Sequence, residues 1–275
     1  MTGPMLAGKV AFITGAARGQ GRSHAVRLAE EGASIIAVDI VGDIPTIPYP
    51  LATEADMAQT VREVEEVDGR IVTQVADVRD RVALQSALDV GLAEFGRLDI
   101  VLANAGVAMV GPDLLGEEEA WRDVIDINLS GVWRTVKVTA QQIIDQGEGG
   151  SIVLTSSAAG LKALGTGLAG TEGYVASKHA IVGLMRNFAM WLAPYKIRVN
   201  SVHPSGVDTP MVNNPAMQAY LADASEALMN AMSNLMPGGP MPPRDVSNAV
   251  KWLVSDDARL VTGVALPVDG GYAIK

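Results

Sequence analysis

A chain of 275 residues with 48% hydrophobic and 19% charged residues can bury a sizeable core. Its 21 Lys and Arg against 31 Asp and Glu leave a formal charge of −10, which excludes the basic footprint of a nucleic-acid or anionic-membrane binder. Cysteine is absent, so disulfides, thiolate nucleophiles and thiolate metal sites are excluded too. The first nine residues lack a basic segment followed by a sustained apolar one, and no run approaches the roughly 20 apolar residues of a spanning helix; a cytoplasmic protein is expected.

In chain order, short apolar runs alternate with longer stretches of helical period, the pattern of a parallel sheet covered by helices on both faces. Strands are expected at 10–14, 34–39, 71–76, 100–103, 151–155, 198–202 and 264–268, and helices at 21–31, 55–67, 81–95, 118–144, 174–192 and 245–253. No repeat or low-complexity tract interrupts them, so residues 1–275 are read as one domain. Two stretches break the rhythm. Residues 40–53 carry Pro45, Pro48 and Pro50, which suit neither a helix nor an inner strand and mark an insertion loop. Residues 204–243 form a second irregular region holding Met211, Met217, Met229, Met232, Met236 and Met241. Loops of that length serve as lids or are disordered. Such thioethers suit either a surface that fits an apolar ligand or the packing of a short surface helix around 217–234, and both readings stay open.

Directly after the first strand comes Thr14-Gly15-Ala16-Ala17-Arg18-Gly19-Gln20-Gly21. Its glycines let the backbone approach a pyrophosphate, while the helix start behind them supplies free N–H groups and partial positive charge. Asp39 ends the second strand 18 residues after Gly21, near the spacing at which a carboxylate accepts from an adenosine ribose. Together these predict a dinucleotide site in a single-domain, Rossmann-type doubly wound seven-stranded parallel sheet with helices on both faces. A carboxylate at Asp39 repels the 2′-phosphate of NADP and favours NAD, although Arg18 pulls the other way. Asp77, with its neighbour Val78, ends the third strand where an adenine would lie, and Asn104-Ala105-Gly106 follows the fourth strand beside the cofactor.

Tyr174-Val175-Ala176-Ser177-Lys178 places a phenol and an ammonium four residues apart, about 6 Å along a helix and some 40° around it. A nearby cation favours phenolate, lowering the tyrosine pKa and making a general base for alcohol oxidation or a general acid for the reverse. Thr155-Ser156-Ser157 ends the fifth strand just upstream. His24, His179 and His203 lack metal-ligand spacing and read as packing or surface residues, so no metal site is expected. Trp121, Trp133, Trp191 and Trp252 fall in helical segments and suit packing between helices or subunits.

In these motifs the chain resembles the short-chain dehydrogenase/reductase family nearly end to end. TGAARGQG matches the family's TGxxxGxG turn, Asn104-Ala105-Gly106 its NAG, Asn128 its helix asparagine, and Ser157, Tyr174 and Lys178 its remaining catalytic positions; Thr262-Gly263 and Asp269-Gly270-Gly271 fit its C-terminal end. The resemblance implies that Tyr174 exchanges the proton and Ser157 bonds the substrate oxygen. It also implies that Lys178 lowers the tyrosine pKa and binds the nicotinamide ribose, while Asn128 holds a water leading to solvent. Val207 and Thr209 are similar to the family's cofactor-facing continuation; the resemblance also implies a four-helix dimer contact through the 118–144 and Tyr174 helices, and a homotetramer.

Three departures stand out. Ser157 lies 17 residues before Tyr174 where about thirteen is usual, with 165–171 enlarged and Ser156 as the other candidate serine. The family's Pro-Gly reads Pro204-Ser205-Gly206. Gln20, the following Arg22-Ser23-His24-Ala25 and the proline-rich insertion resemble the mycofactocin-associated, carveol dehydrogenase-like branch, which implies tightly held NAD reoxidised by a mycofactocin-type electron acceptor. The expected activity is NAD-dependent interconversion of a hydrophobic secondary alcohol, terpenol- or steroid-like, and its ketone. The rivals are an ordinary reductase with freely exchanging NAD(H) and a non-catalytic redox sensor; the resemblance disfavours enoyl reductases, which use a wider Tyr-to-Lys spacing, and sugar-nucleotide epimerases, which carry a longer substrate domain.

Overall fold

The strands form where apolar and β-branched residues run without interruption. VAFIT in β1 (Val10–Thr14) is buried throughout, as are all but the first residue of β2 (Ser34–Asp39) and β5 (Gly150–Thr155) and all of β4 (Ile100–Ala103). A parallel sheet covered on both faces requires such runs. Together with β3 (Ile71–Val75), β6 (Ile197–Pro204) and β7 (Ala265–Val268) they make the expected all-parallel, seven-stranded sheet, and its order is β3-β2-β1-β4-β5-β6-β7. The protein is described here by a computed structural model, covering residues 3–109, 115–163 and 167–275.

Alternate side chains of each strand enter opposite cores. Phe12, Ile36, Val101 and Ile152 join one apolar cluster with Leu88, Val136 and Ile181, and Ala11, Ile13, Ile35 and Leu102 join another with Leu28 and Val250. The first cluster draws on α3 (Arg81–Phe95), α4 (Glu117–Ile125), α5 (Val132–Gln146) and α6 (Ala169–Leu192). The second draws on α1 (Gly19–Ala29), α2 (Glu54–Glu65) and α9 (Pro243–Val254), with α7 (Pro215–Ala222) and α8 (Glu226–Ala231) lying between β6 and α9 in the chain. Strand order reverses between β1 and β4, which opens a crevice at their C-terminal ends.

Three elements differ from expectation. The continuous helix expected at 118–144 is split by a π-helical turn, Asp126–Gly131. This wider turn carries Asn128 inward, and its last residue packs so closely on Val78 that a Cβ on Gly131 would stand 2.6 Å from the Val78 side chain. Helix α6 starts five residues before Tyr174, so that tyrosine sits inside a formed helix. Residues 204–243 contain two short helices instead of one. Of the enlarged 165–171 segment, residues 165 and 166 lie outside the described residues, and 169–171 begin α6. Among the described residues no helix is long and apolar enough to cross a membrane, and no group of three His, Asp or Glu could hold a metal ion.

Candidate active site

The crevice is built by the ends of β1, β4 and β5. Thr14 Oγ1 accepts from the N–H groups of Asn104 and Ala105 at 3.1 Å each, and Asn104 Nδ2 donates to the carbonyls of Thr14 and Gly15 at 3.0 and 3.3 Å. Thr155 Oγ1 donates to Asn104 Oδ1 at 3.2 Å, joining the third strand end. These bonds leave no room around the glycine turn. Gly15 has φ +68°, and a Cβ on Gly21 would fall 1.9 Å from the Gly15 carbonyl oxygen. A backbone this bare, opening the first turn of α1, suits a diphosphate group.

A cavity of about 140 Å³ runs from that turn to the end of β2. Gly15, Arg18, Gly19, Gln20, Gly21, Asp39, Asp77, Val78, Asn104, Ala105, Gly106 and Thr209, all expected at a cofactor site, line it. Asp39 Oδ2 accepts from the Ala17 N–H at 3.0 Å, and Oδ1 from the Val41 N–H at 3.3 Å. Burial raises its carboxyl above the usual range, against the lowering effect of these backbone donors and of Arg18. Asp77 is paired with Arg79 at 2.7 Å, and Arg79 continues to Asp123 at 3.0 Å.

The 40–53 insertion lies over this cavity. Ile44, Tyr49 and Leu51 are buried and line it, and Ile47 is buried beside them. Polar ties hold the segment down: Thr46 Oγ1 donates to Asp123 Oδ2 at 2.6 Å, Arg18 Nη2 to the Pro50 carbonyl at 2.6 Å, and the Ala108 N–H to the Tyr49 hydroxyl at 3.2 Å. Arg18 is thus engaged by the insertion. Tyr49's phenol is pushed up to about 12 by burial.

A larger cavity of about 420 Å³ adjoins the first, sharing Gln20, Asn104, Gly106, Thr209 and Met211 with it. Ser157, Tyr174, Lys178 and Val207 line this second space. Its walls include Met109 and four methionines of the 204–243 region, Met211, Met217, Met229 and Met232, so those thioethers face a cavity while Met217 also packs inward on α7. The extra residue in Pro204-Ser205-Gly206 helps to anchor that region, Ser205 Oγ donating to Asn234 Oδ1 at 2.9 Å; a separate bond runs from the Met236 N–H to the Gly270 carbonyl at 2.9 Å.

Tyr174 and Lys178 project from the same side of α6, with Lys178 Nζ 5.5 Å from the tyrosine ring centre and 2.9 Å from the Thr155 carbonyl it donates to. Burial lowers the Lys178 ammonium to about 8. The tyrosine departs from expectation. Its pKa is raised by burial, against a lowering hydrogen bond with Ser157, because the desolvated phenolate costs more than this bond returns. Ser156 Oγ is committed to the Lys178 carbonyl at 2.7 Å, whereas Ser157 Oγ stands by the phenol. Asn128 lines neither cavity. Its Oδ1 accepts from the Val107 N–H and its Nδ2 donates to the Val107 carbonyl, both at 2.8 Å, so the side chain pins the segment after Gly106. A Cβ on Gly106 would stand 3.1 Å from Asn128 Oδ1 and 3.5 Å from Lys178 Nζ, which brings the three together.

Two histidines gain roles that the sequence reading did not assign. His203 is buried, with Nδ1 2.9 Å from the Ser157 carbonyl and Nε2 2.8 Å from Ser201 Oγ, and so holds the backbone of the candidate serine. The only signal in the sequence is that Ser201 and His203 share a strand face at spacing two. His24 is buried between α1 and α9 with Nδ1 2.8 Å from Ser247 Oγ. His179 is a surface residue bonded to the Val175 carbonyl.

A family model described as short chain dehydrogenase matches residues 9–219. The chain is 48% identical over 277 residues to (−)-trans-carveol dehydrogenase of Rhodococcus erythropolis, with 98% of each chain covered. Among solved structures it is similar to a carveol dehydrogenase from Mycobacterium avium in complex with NAD, at 50% identity and TM-score 0.91 over 100% of both chains. A short chain dehydrogenase from Mycobacterium paratuberculosis bound to NAD matches at 48% identity and TM-score 0.91, covering 98% of this chain and 100% of that one. Sheet order, glycine turn and relatives near half identical agree: the chain belongs to the short-chain dehydrogenase family.

Proposed function

We propose that this protein interconverts a hydrophobic secondary alcohol, terpenol- or steroid-like, and its ketone, using NAD. The observation that carries the reading is the methionine-walled cavity of about 420 Å³ that adjoins the dinucleotide crevice and has Tyr174 and Ser157 in its wall. Its size and mainly apolar lining suit a small ligand with one polar handle, and the carveol dehydrogenases among the relatives support a cyclic terpenol. The glycine turn fits the diphosphate, Asp39 the adenosine ribose, and Lys178 the nicotinamide ribose. NAD supplies the hydride acceptor, or as NADH the donor. Ser157 orients the substrate oxygen and Tyr174 gives it a proton in reduction or takes one in oxidation. With its pKa raised by burial, Tyr174 carries its proton at neutral pH and is set to donate.

The insertion supports a further part of this reading, in which segment 40–53 retards NAD escape and a mycofactocin-type acceptor takes the electrons. The exposed Trp133, Met190 and Trp191 on α5 and α6 support a homotetramer, which native mass spectrometry measures. The function itself is tested by a substrate screen. Cyclic terpenols or steroids are expected to give the highest kcat/KM, and a screen led by polyols or hydroxy acids overturns the assignment.

A further inference from the structure

The methionine-walled cavity carries hydrogen-bonding side chains besides those at the reacting centre and at the neck to the dinucleotide crevice. Thr155, Ser156, Thr171, Ser205, Thr209 and Ser233 line it, and the hydroxyl of each donates to an oxygen of the protein. Two further lining residues keep a donor in hand, since neither Asn234 Nδ2 nor the Tyr272 hydroxyl has a hydrogen-bond partner among the described residues. Asn234 is half-buried between the exposed Ser233 and Leu235, where water serves it. Tyr272 is closed in. It is only 6% exposed, yet its hydroxyl is not among the polar atoms shut off from solvent, so the small opening left to this residue includes the hydroxyl.

The ring is held in place. Tyr272 opens the short 3-10 turn Tyr272–Ile274, which packs against the turn Ala158–Gly160 that follows Ser157, and Lys162 Nζ stands 4.8 Å from the ring centre. Burial raises the phenol above its ordinary range, so it keeps its proton and remains a donor through neutral pH. A wholly apolar ligand filling the cavity strips water from this hydroxyl and leaves it unpaired, which is costly for a buried polar group. A ligand with an oxygen at that place removes the cost. We propose that Tyr272 binds a second oxygen of the substrate, so that the preferred substrates are cyclic ketones, and the matching alcohols, that carry an oxo or hydroxyl group remote from the reacting carbon. This rests on the reading of the protein as a dehydrogenase of hydrophobic alcohols and adds a second polar handle to them.

The test compares ketones that differ only by oxygen against methylene at the remote position: cyclohexane-1,4-dione with 4-methylenecyclohexanone, and trans-decalin-2,6-dione with its 6-methylene counterpart. Second-order rate constants for reduction are measured in single turnovers of enzyme loaded with NADH, for wild type and Tyr272→Phe. The variant keeps the ring and its contact with Lys162 and loses the hydroxyl. The dione-to-methylene ratio contains the dione's greater intrinsic reactivity and its two equivalent carbonyls in both proteins, so the change in that ratio isolates Tyr272. In at least one pair the ratio is expected to fall about tenfold, the scale of one neutral hydrogen bond, while the methylene ketone reacts within about twofold of wild type. A ratio that changes by less than about threefold in both pairs overturns the proposal, and is also the result if a water stays on the hydroxyl when substrate binds. A loss shared equally by dione and methylene ketone overturns it too, because it marks a merely structural role. Wild type loaded with NADH that reduces none of these ketones overturns the dehydrogenase reading itself.

Discussion

At the scale of single residues, the site separates charge from solvent. Lys178 is buried and Tyr174 partly so, and the loss of solvent pushes the phenol up and the ammonium down, each toward its neutral form. A neutral phenol is the proton donor that reduction needs. Ketone reduction is therefore expected to stay level through neutral pH, and alcohol oxidation to rise toward and beyond the ordinary phenol range near 10, where phenolate appears. Tyr174→Phe removes the acidic hydroxyl and keeps the ring. Single-turnover rates should fall by at least about a hundredfold with NAD still bound, and a variant within tenfold of wild type refutes the role. Asp39 is expected to act on selectivity. Its two oxygens already order the Ala17 and Val41 N–H groups, so Asp39→Ala should weaken NAD and relieve rejection of NADP. If wild type binds NADP as tightly as NAD, the carboxylate is not what selects.

At the scale of elements, the insertion 40–53 and the region 204–243 close the two ends of one crevice. The insertion is held by apolar anchors and by three polar ties to different parts of the chain, Thr46 to α4, Tyr49 to the segment after β4, and Arg18 to Pro50. Its prolines limit the freedom lost on ordering. NAD is expected to copurify and to exchange more slowly than one turnover, and an artificial electron acceptor should restore cycling. Replacing residues 42–51 with a short Gly-Ser linker should speed exchange and raise steady-state activity with free NAD. Labelled NAD that equilibrates with wild type within one turnover rules out this role. His203 shows a different kind of coupling: a residue on β6 holds the backbone at the end of β5, so the position of Ser157 depends on the pairing of two strands far apart in sequence.

At the scale of the whole molecule, the helices on one sheet face meet through a buried histidine. Burial lowers His24 to about 3, and its Nε2 has no partner among the described residues. In the unfolded chain a histidine titrates near 6.5. The unfolded state therefore binds more protons between these values, so the stability is complete above about pH 6.5 and is lost as pH falls toward 3, by about 2 kcal/mol on reaching pH 5. Denaturant titrations at pH 7 and 5 should show wild type losing more stability than His24→Phe. Equal losses refute the idea.

The strands, their parallel order and the two sequence motifs were legible because each rests on local chemistry. Continuous apolar runs declare buried strands, Gly15 and Gly21 announce a turn that side chains would block, and Tyr174 and Lys178 share a face by helical spacing alone. The π-turn at Asn128, the grip of His203 on Ser157, the bond that engages Ser156 with the Lys178 carbonyl and the upward shift of Tyr174 were decided only when distant segments packed together. The physical reason is common to all four. Hydrogen-bond partners and loss of solvent are properties of the space around a side chain, and strands paired across the sheet, far apart in sequence, fill that space.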